Sequence, residues 1–310
     1  MTFRAIHFRR LIPAVFIASI ALFVSIAFTS GTAFAHGTES QAITVSPAST
    51  EVVASPGKAS VQTFEVINGG HHAFNVTLST APYYVSGENY DPRFTQLPGT
   101  VNASQWVRLS TTTGTVEGDT ALSVPYTVEV PSGTPAGGYY AVIFAETSKD
   151  EEETGVVSHS RVGNILYITV NGDVQNSGSV TGNALPAFSF IGSIPLSTKI
   201  SNSGGVHFVT KAEYKVIDMT GKTVFSATTE RYVLPQTERT ITSSWTPQSL
   251  FGIYTVKRSA TVAGVVTPIK DEKIIIINPW LFVGLAFLIG IIIGIPVQRA
   301  RRERHSSKDQ

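Results

Sequence analysis

The sequence predicts an all-β fold, two tandem immunoglobulin-like β-sandwiches, and three observations carry that prediction. Between the chain's ends strict two-residue alternation recurs and no 3.6-residue period stands out. The alternating runs are short and are broken by Gly, Pro, Asn and Ser. A loose pattern of turn and strand signals also appears twice.

The alternation is read from individual runs. Phe74, Val76 and Leu78 point one way while Asn75, Thr77 and Ser79 point the other. Val124, Tyr126, Val128 and Val130 oppose Thr127 and Glu129, and Ala212, Tyr214 and Val216 oppose Lys211, Glu213 and Lys215. Residues 139–145 are apolar on both faces, as a central strand requires. Pro56-Gly57 and Asn68-Gly69-Gly70 supply turn chemistry, and Asp218 to Lys222 predicts a hairpin loop. Asn, Gly, Ser and Asp without apolar pattern mark a linker at 173–182, separating a first domain at 40–172 from a second at 183–277. In the repeat, Ile67-Asn68-Gly69-Gly70-His71 matches the stretch from Ile200 to His207, and Gly138-Tyr139 matches Gly252-Ile253-Tyr254. The first copy carries an insertion at 83–102.

The ends read differently. Arg4, Arg9 and Arg10 precede an apolar run from Leu11 to Phe28 and the tripeptide Ala33-Phe34-Ala35, which predicts a signal peptide over 1–35 cleaved between Ala35 and His36. From Trp280 to Val297 there is no charged residue, and Arg299, Arg301, Arg302 and Arg304 follow. This predicts a transmembrane helix at 279–298 and a basic cytoplasmic tail at 299–310, hence a single-pass cell-membrane protein with extracellular domains. Gly290 and Gly294 stand at the spacing that lets membrane helices pack closely.

Charge and motifs exclude several functions. From His36 to Asn278 there are 20 acidic against 15 basic residues, so the folded part offers no polyanion-binding footprint and no nucleic acid is expected. The chain has no cysteine, which removes disulfides, thiolate catalysis and cysteine metal sites. No nucleophile elbow, zinc-protease helix, phosphate loop or calcium loop is present, so neither catalysis nor a cofactor or metal is expected. His71-His72 would point to opposite faces of a strand and chelate poorly, and Asp150 to Glu153 reads as a solvated loop. Leu234-Pro235-Gln236-Thr237-Glu238 approaches a sorting signal but lacks its glycine and lies far from the apolar run. Tyr83, Tyr84, Tyr90, Phe94 and Trp106 crowd the insertion and its flank. They form the candidate binding surface, with covering an open sandwich end as the alternative.

Pro56-Gly57, Phe64 to Asn68, Trp106 to Leu109 and Pro135 to Val142, with Leu234-Pro235, Trp245 and Phe251 to Tyr254 in the second half, resemble in order the bacterial WxL-interacting surface proteins. More distantly the chain is similar to pilus-chaperone domains. The first resemblance implies a peptidoglycan-binding first domain and a partner-binding second domain; the other implies a sandwich that holds an incoming subunit on a strand edge. The expected function is therefore a non-enzymatic, membrane-anchored surface protein that contacts cell-wall polymer or another surface protein through its first domain. The alternative is a chaperone-like assembly factor for secreted or surface subunits.

Overall fold

The alternating runs form strands that close around two hydrophobic cores. The computed structural model describes residues 43–148, 160–249 and 251–293, apart from 88, 191, 278 and 281. The expected cleavage site at Ala35 and His36, the acidic run at 150–153, Gly294 and the tail at 299–310 lie outside the described residues.

The first half contains Ile43–Ser46 (β1), Ser49–Ala54 (β2), Ala59–Asn68 (β3), Phe74–Pro82 (β4), Tyr84–Ser86 (β5), Asp91–Arg93 (β6), Val107–Leu109 (β7), Thr113–Val116 (β8), Ala121–Glu129 (β9), Gly137–Ser148 (β10) and Arg161–Val170 (β11). A four-stranded sheet in the order β1-β3-β9-β7 faces a five-stranded sheet in the order β2-β11-β10-β4-β8. Phe64, Val66, Val124, Tyr126 and Val128 of one sheet and Val76, Leu78, Ile143, Leu166 and Ile168 of the other fill the space between them. The side chains predicted to face inward on β4 and β9 do so. As predicted for a central strand, β10 lies between β11 and β4, and residues 141–145 are all buried. Near its N-terminal end the chain switches sheets: β1 pairs antiparallel with β3, and β2 then pairs parallel with β11.

The second half contains Gly178–Ala184 (β12), Phe188–Ser189 (β13), Ile194–Asn202 (β14), Phe208–Ile217 (β15), Thr223–Val233 (β16), Thr237–Trp245 (β17), Phe251–Val262 (β18) and Val265–Ile277 (β19). Sheets β12-β14-β17 and β13-β19-β18-β15-β16 enclose a second core that includes Leu196, Ile200, Tyr214, Val216, Ile241 and Ile274. The predicted hairpin loop closes β15 onto β16, with Gly221 at φ 86° and the Asp218 carboxylate accepting from the Thr220 and Lys222 amides. Part of the stretch read as a linker is strand β12, paired with β14. Its single strongly apolar residue, Val180, left no period to read.

The internal repeat has a physical cause. Asn68 and Asn202 end their strands almost fully buried, each where the chain turns sharply. The Asn68 amide donates to the His72 and Val116 carbonyls at 2.8 and 3.1 Å, and its carbonyl accepts from the Gly70 N–H at 2.9 Å. Asn202 repeats the set, donating to Val206 and Val233 at 2.9 and 2.8 Å and accepting from Gly204 at 2.9 Å. Each asparagine thus pairs main-chain groups that burial would otherwise orphan. In the neighbouring turns Asp119 and Gln236 take the left-handed conformation at φ 57° and 56°. A Trp–Tyr pair recurs as well: Trp106 on Tyr139 and Trp245 on Tyr254, both with ring centroids 4.8 Å apart.

The expected membrane anchor is corrected. After β19 the described helical residues are 280 and 282–293, with Phe282, Phe287 and Ile292 strongly exposed. Residues 280–293 correspond to about 21 Å of helix at ~1.5 Å per residue, against a hydrocarbon core of ~30 Å. Among the described residues no helix is long and apolar enough to cross a membrane, and the single-pass placement with a cytoplasmic tail does not stand. Gly290 lies on this helix with open space around it.

Asn68→Ala and Asn202→Ala should each lower the unfolding free energy by roughly 1–3 kcal/mol, the second more than the first, since Asn68 leaves the buried Val116 carbonyl without its amide partner and Asn202 leaves the buried Val233 carbonyl and Gly204 N–H without theirs. Urea denaturation measures it. Midpoints unchanged in both variants would show that these groups find other partners.

Candidate functional site

The outer face of the five-stranded sheet of the first sandwich carries aromatic residues that a solvated sheet would not. Tyr140 and Tyr167 stand opposite each other on β10 and β11. Tyr83 follows directly on β4, and its ring meets that of Tyr167 at 6.4 Å. Two covers shield this face. One is the insertion, whose small hairpin β5–β6 carries Tyr90 in the loop. The other is the second sandwich, which contributes His207, Tyr232 and Leu234. Tyr83, Tyr90, Tyr167 and Leu234 are buried together, with Tyr140, Val85, Ile165 and Tyr232 packed around them.

Specific contacts fix the junction. Tyr232 stacks on Tyr167 at 3.9 Å and 17°. The Tyr90 hydroxyl accepts the Leu234 N–H at 2.6 Å and lies 3.2 Å from the Thr237 hydroxyl, while the Arg239 guanidinium sits 4.4 Å from the centre of the Tyr90 ring. Leu234 lies on the turn joining β16 to β17 and Thr237 opens β17, both within the stretch that resembled a sorting signal, while Arg239 stands two residues further along β17. On the other side the Gly138 N–H donates to the Gly205 carbonyl at 3.0 Å. A Cβ at Gly138 would run into the Tyr140 hydroxyl and crowd Val206, so glycine is what allows the two main chains to meet.

Burial governs the ionisation of this cluster. It raises the tyrosine pKa values at 83, 90, 140 and 167, and it pushes Tyr232 up to about 12, where Glu51 adds to the rise. Burial also lowers His207, against a smaller opposing pull from Glu51.

Beside the junction lies an open groove of about 420 Å³. Val85, Ser86, Gly87 and Tyr90 form one wall and Lys199, Gln236, Thr237 and Glu238 the other. Lys199 and Glu238, diagonal neighbours on the outward face of β14 and β17, pair at 2.8 Å, which with the Thr181 hydroxyl holds the Glu238 carboxyl below its ordinary range. Arg93 donates to the Ser86 hydroxyl at 2.8 Å, and the Gln236 amide donates to the Ser203 and Gly204 carbonyls at 3.1 and 3.2 Å. The lining offers hydroxyls, an amide and one ion pair. Among the described residues no three His, Asp or Glu side chains group to hold a metal ion.

The structure does not gather the five sequence-predicted aromatics into one exposed surface. Tyr83 and Tyr90 are buried in the junction, and Trp106 is buried in the first core. Phe94 is partly exposed but packs on Tyr83 and Phe144, at 6.2 and 4.9 Å. Tyr84 is half-buried on β5. Sequence reasoning missed Tyr140, Tyr167, His207, Tyr232 and Arg239. The signal for the first two was available: a strand apolar on both faces needs a cover on its second face.

No protein-family model and no curated protein matches the chain, so the resemblance to WxL-interacting proteins receives no support. Among solved structures the chain is similar to the class 5 fimbriae chaperone CfaA, with 11% identity over 76% of this chain and 98% of that one and a TM-score of 0.38. It is similar to the E. coli chaperone DraB, with 13% identity over 75% and 97% and a TM-score of 0.36. A third likeness is to the Salmonella enterica SafA pilin in complex with the SafB chaperone, with 12% identity over 76% and 97% and a TM-score of 0.35. At these values the likenesses are of β-sandwich outline, and nothing further follows from them.

Tyr90→Phe removes the acceptor of a buried N–H and should destabilise the folded chain by about 1–3 kcal/mol. Tyr84→Phe, at a half-buried position, should change stability by less than about 0.5 kcal/mol. Thermal unfolding of the pair checks this, and equal losses would show that Tyr90 does not pin the junction.

Proposed function

We propose that this chain is a non-enzymatic binding protein that holds an extended segment of a secreted or surface protein in the junction groove, a chaperone-like assembly role. The observation that supports this reading is the groove itself, set between the insertion and the outer face of the β12-β14-β17 sheet. Its walls are fixed in advance by the Tyr90–Leu234 and Gly138–Gly205 hydrogen bonds. A preformed wall saves the ordering cost that binding would otherwise incur. Hydroxyl and amide groups along it suit the repeating N–H and C=O groups of an extended chain. The volume is within the range of small-ligand sites, enough for a few residues of peptide.

The wall-polymer reading was motivated by the aromatic insertion, beside strand-edge pairing and polar loops. With Tyr83, Tyr90 and Trp106 buried, those three rings are not presented for stacking, and the motivation falls away.

A photoreactive residue placed at Glu238, in the groove, and separately at Val61, an exposed site on β3, tests the proposal in the producing cells. Cross-links from position 238 to one recurrent extended segment of an exported protein, without the same product from position 61, are expected. Identical products from both positions, or none from 238, would sink it. Glu238→Trp, which fills the groove from an outward position, should leave thermal stability within a few degrees of the parent and abolish the product.

A further inference from the structure

His207 is the one imidazole at the junction among the described residues, and its surroundings are built from both sandwiches. It is 9% exposed. Its Nδ1 lies 3.2 Å from the Tyr140 hydroxyl. Its ring centroid is 5.5 Å from that of Tyr140, 5.1 Å from Tyr167 and 5.8 Å from Tyr232. Tyr140 and Tyr167 belong to the first sandwich, whereas His207 and Tyr232 belong to the second. The histidine therefore fills a tyrosine box that exists while the sandwiches are docked.

We infer that the junction is a pH-sensitive hinge: protonation of His207 in mildly acidic solution releases the second sandwich from the first. The charged and titratable groups around it are few. Tyr140 on β10, Tyr167 on β11 and Tyr232 on β16 stay neutral, since burial raises all three. Glu51 on β2 is the acidic group acting on the imidazole and favours its protonation, but burial outweighs it and the pKa falls. Arg239 on β17 already places a guanidinium at the Tyr90 ring of the same cluster, so an imidazolium would add a second cation. Opening the junction returns the imidazole to water and to an ordinary pKa near 6.5. The docked form thus binds fewer protons than the open form, and docking weakens as pH falls below about 6.5. If docked His207 stays neutral down to pH 5, the open-to-docked ratio rises by up to about 30-fold between pH 7.5 and pH 5.

The chain has no native cysteine, so one label pair reports the hinge directly. Val61→Cys on β3 and Met219→Cys in the β15–β16 loop are both exposed sites, 70% and 67%, one on each sandwich. Spin-label distances on the full chain should be narrow at pH 7.5 and broaden or shift at pH 5. His207→Asn, which cannot take up the proton, should abolish that change if the variant folds. In the unsubstituted chain an imidazole titration by NMR gives a second readout that needs no variant. The His207 resonance should stay neutral below the ordinary imidazole range near 6.5, and change together with the distance. A distance distribution unchanged to pH 5, the same broadening in a folded His207→Asn chain, or His207 titrating with no distance change would each overturn the hinge.

Discussion

A main-chain N–H or C=O cannot be buried without a partner, and this constraint organises the molecule at both of its turning ends. After β3 and again after β14 the chain reverses at the rim of a core, and Asn68 and Asn202 are almost fully buried at those reversals. Asn68 and Asn202 resolve the conflict by the same three hydrogen bonds each. In the second sandwich this solution has a further use. The Asn202 turn presents the Gly205 carbonyl and Val206 to Gly138, so the element that satisfies the turn also docks one sandwich on the other. Tyr90 then meets the adjacent turn at Leu234, and the groove inherits its fixed walls from these two contacts.

The two copies differ where docking would matter. Where the second turn region carries Leu234, buried against the first sandwich, the matching turn of the first copy carries Glu117 and Asp119. Asp119 pairs with His71 at 2.8 Å in an exposed position. That end is built for water. The receiving surface differs too. Gly138 stands one residue before the Tyr that packs on Trp106, and Ile253 stands one residue before the Tyr that packs on Trp245. A side chain at that position would obstruct the approach that Gly138 permits. Among the described residues the docking scheme is therefore used once.

The alternating strands and the internal repeat were legible in the sequence because each rests on local chemistry. Alternation follows from strand geometry, and the Asn-Gly turns from the need to pair buried main chain. The aromatic residues were not legible as a group. Tyr83, Tyr90, Phe94 and Trp106 are close in sequence, but Trp106 turns inward to the first core while Tyr83 and Tyr90 turn outward to the junction. Their surroundings depend on His207, Tyr232 and Leu234, more than a hundred residues away. Strand β12 was hidden for another reason. As an edge strand whose half-buried positions are Gly178, Val180 and Gly182, with Val180 the one strongly apolar side chain, it is held by main-chain pairing to β14, which composition does not reveal. The apolar run at the C-terminal end signalled hydropathy correctly, yet the described helix it forms falls short of a span.

Burial of the aromatic cluster also changes what the insertion is for. A binding surface needs side chains that can be reached, whereas a closed elbow needs side chains packed between the two sandwiches. Tyr83 and Tyr90 meet the second requirement, with the Tyr90 hydroxyl and ring both engaged by the second sandwich. Phe94 covers Phe144, and the Arg161 guanidinium sits 3.5 Å from the centre of the same ring, so the outer face of the sheet is shielded beyond the junction as well. What remains accessible is the polar wall from Val85 to Gly87 and, across from it, Lys199 and the residues from Gln236 to Glu238. The aromatic side chains hold that wall in place, and under the proposed role recognition would fall to the hydroxyls, amide and ion pair. Specificity in such a groove would come from hydrogen-bond geometry and not from apolar area, so it depends on the elbow staying closed.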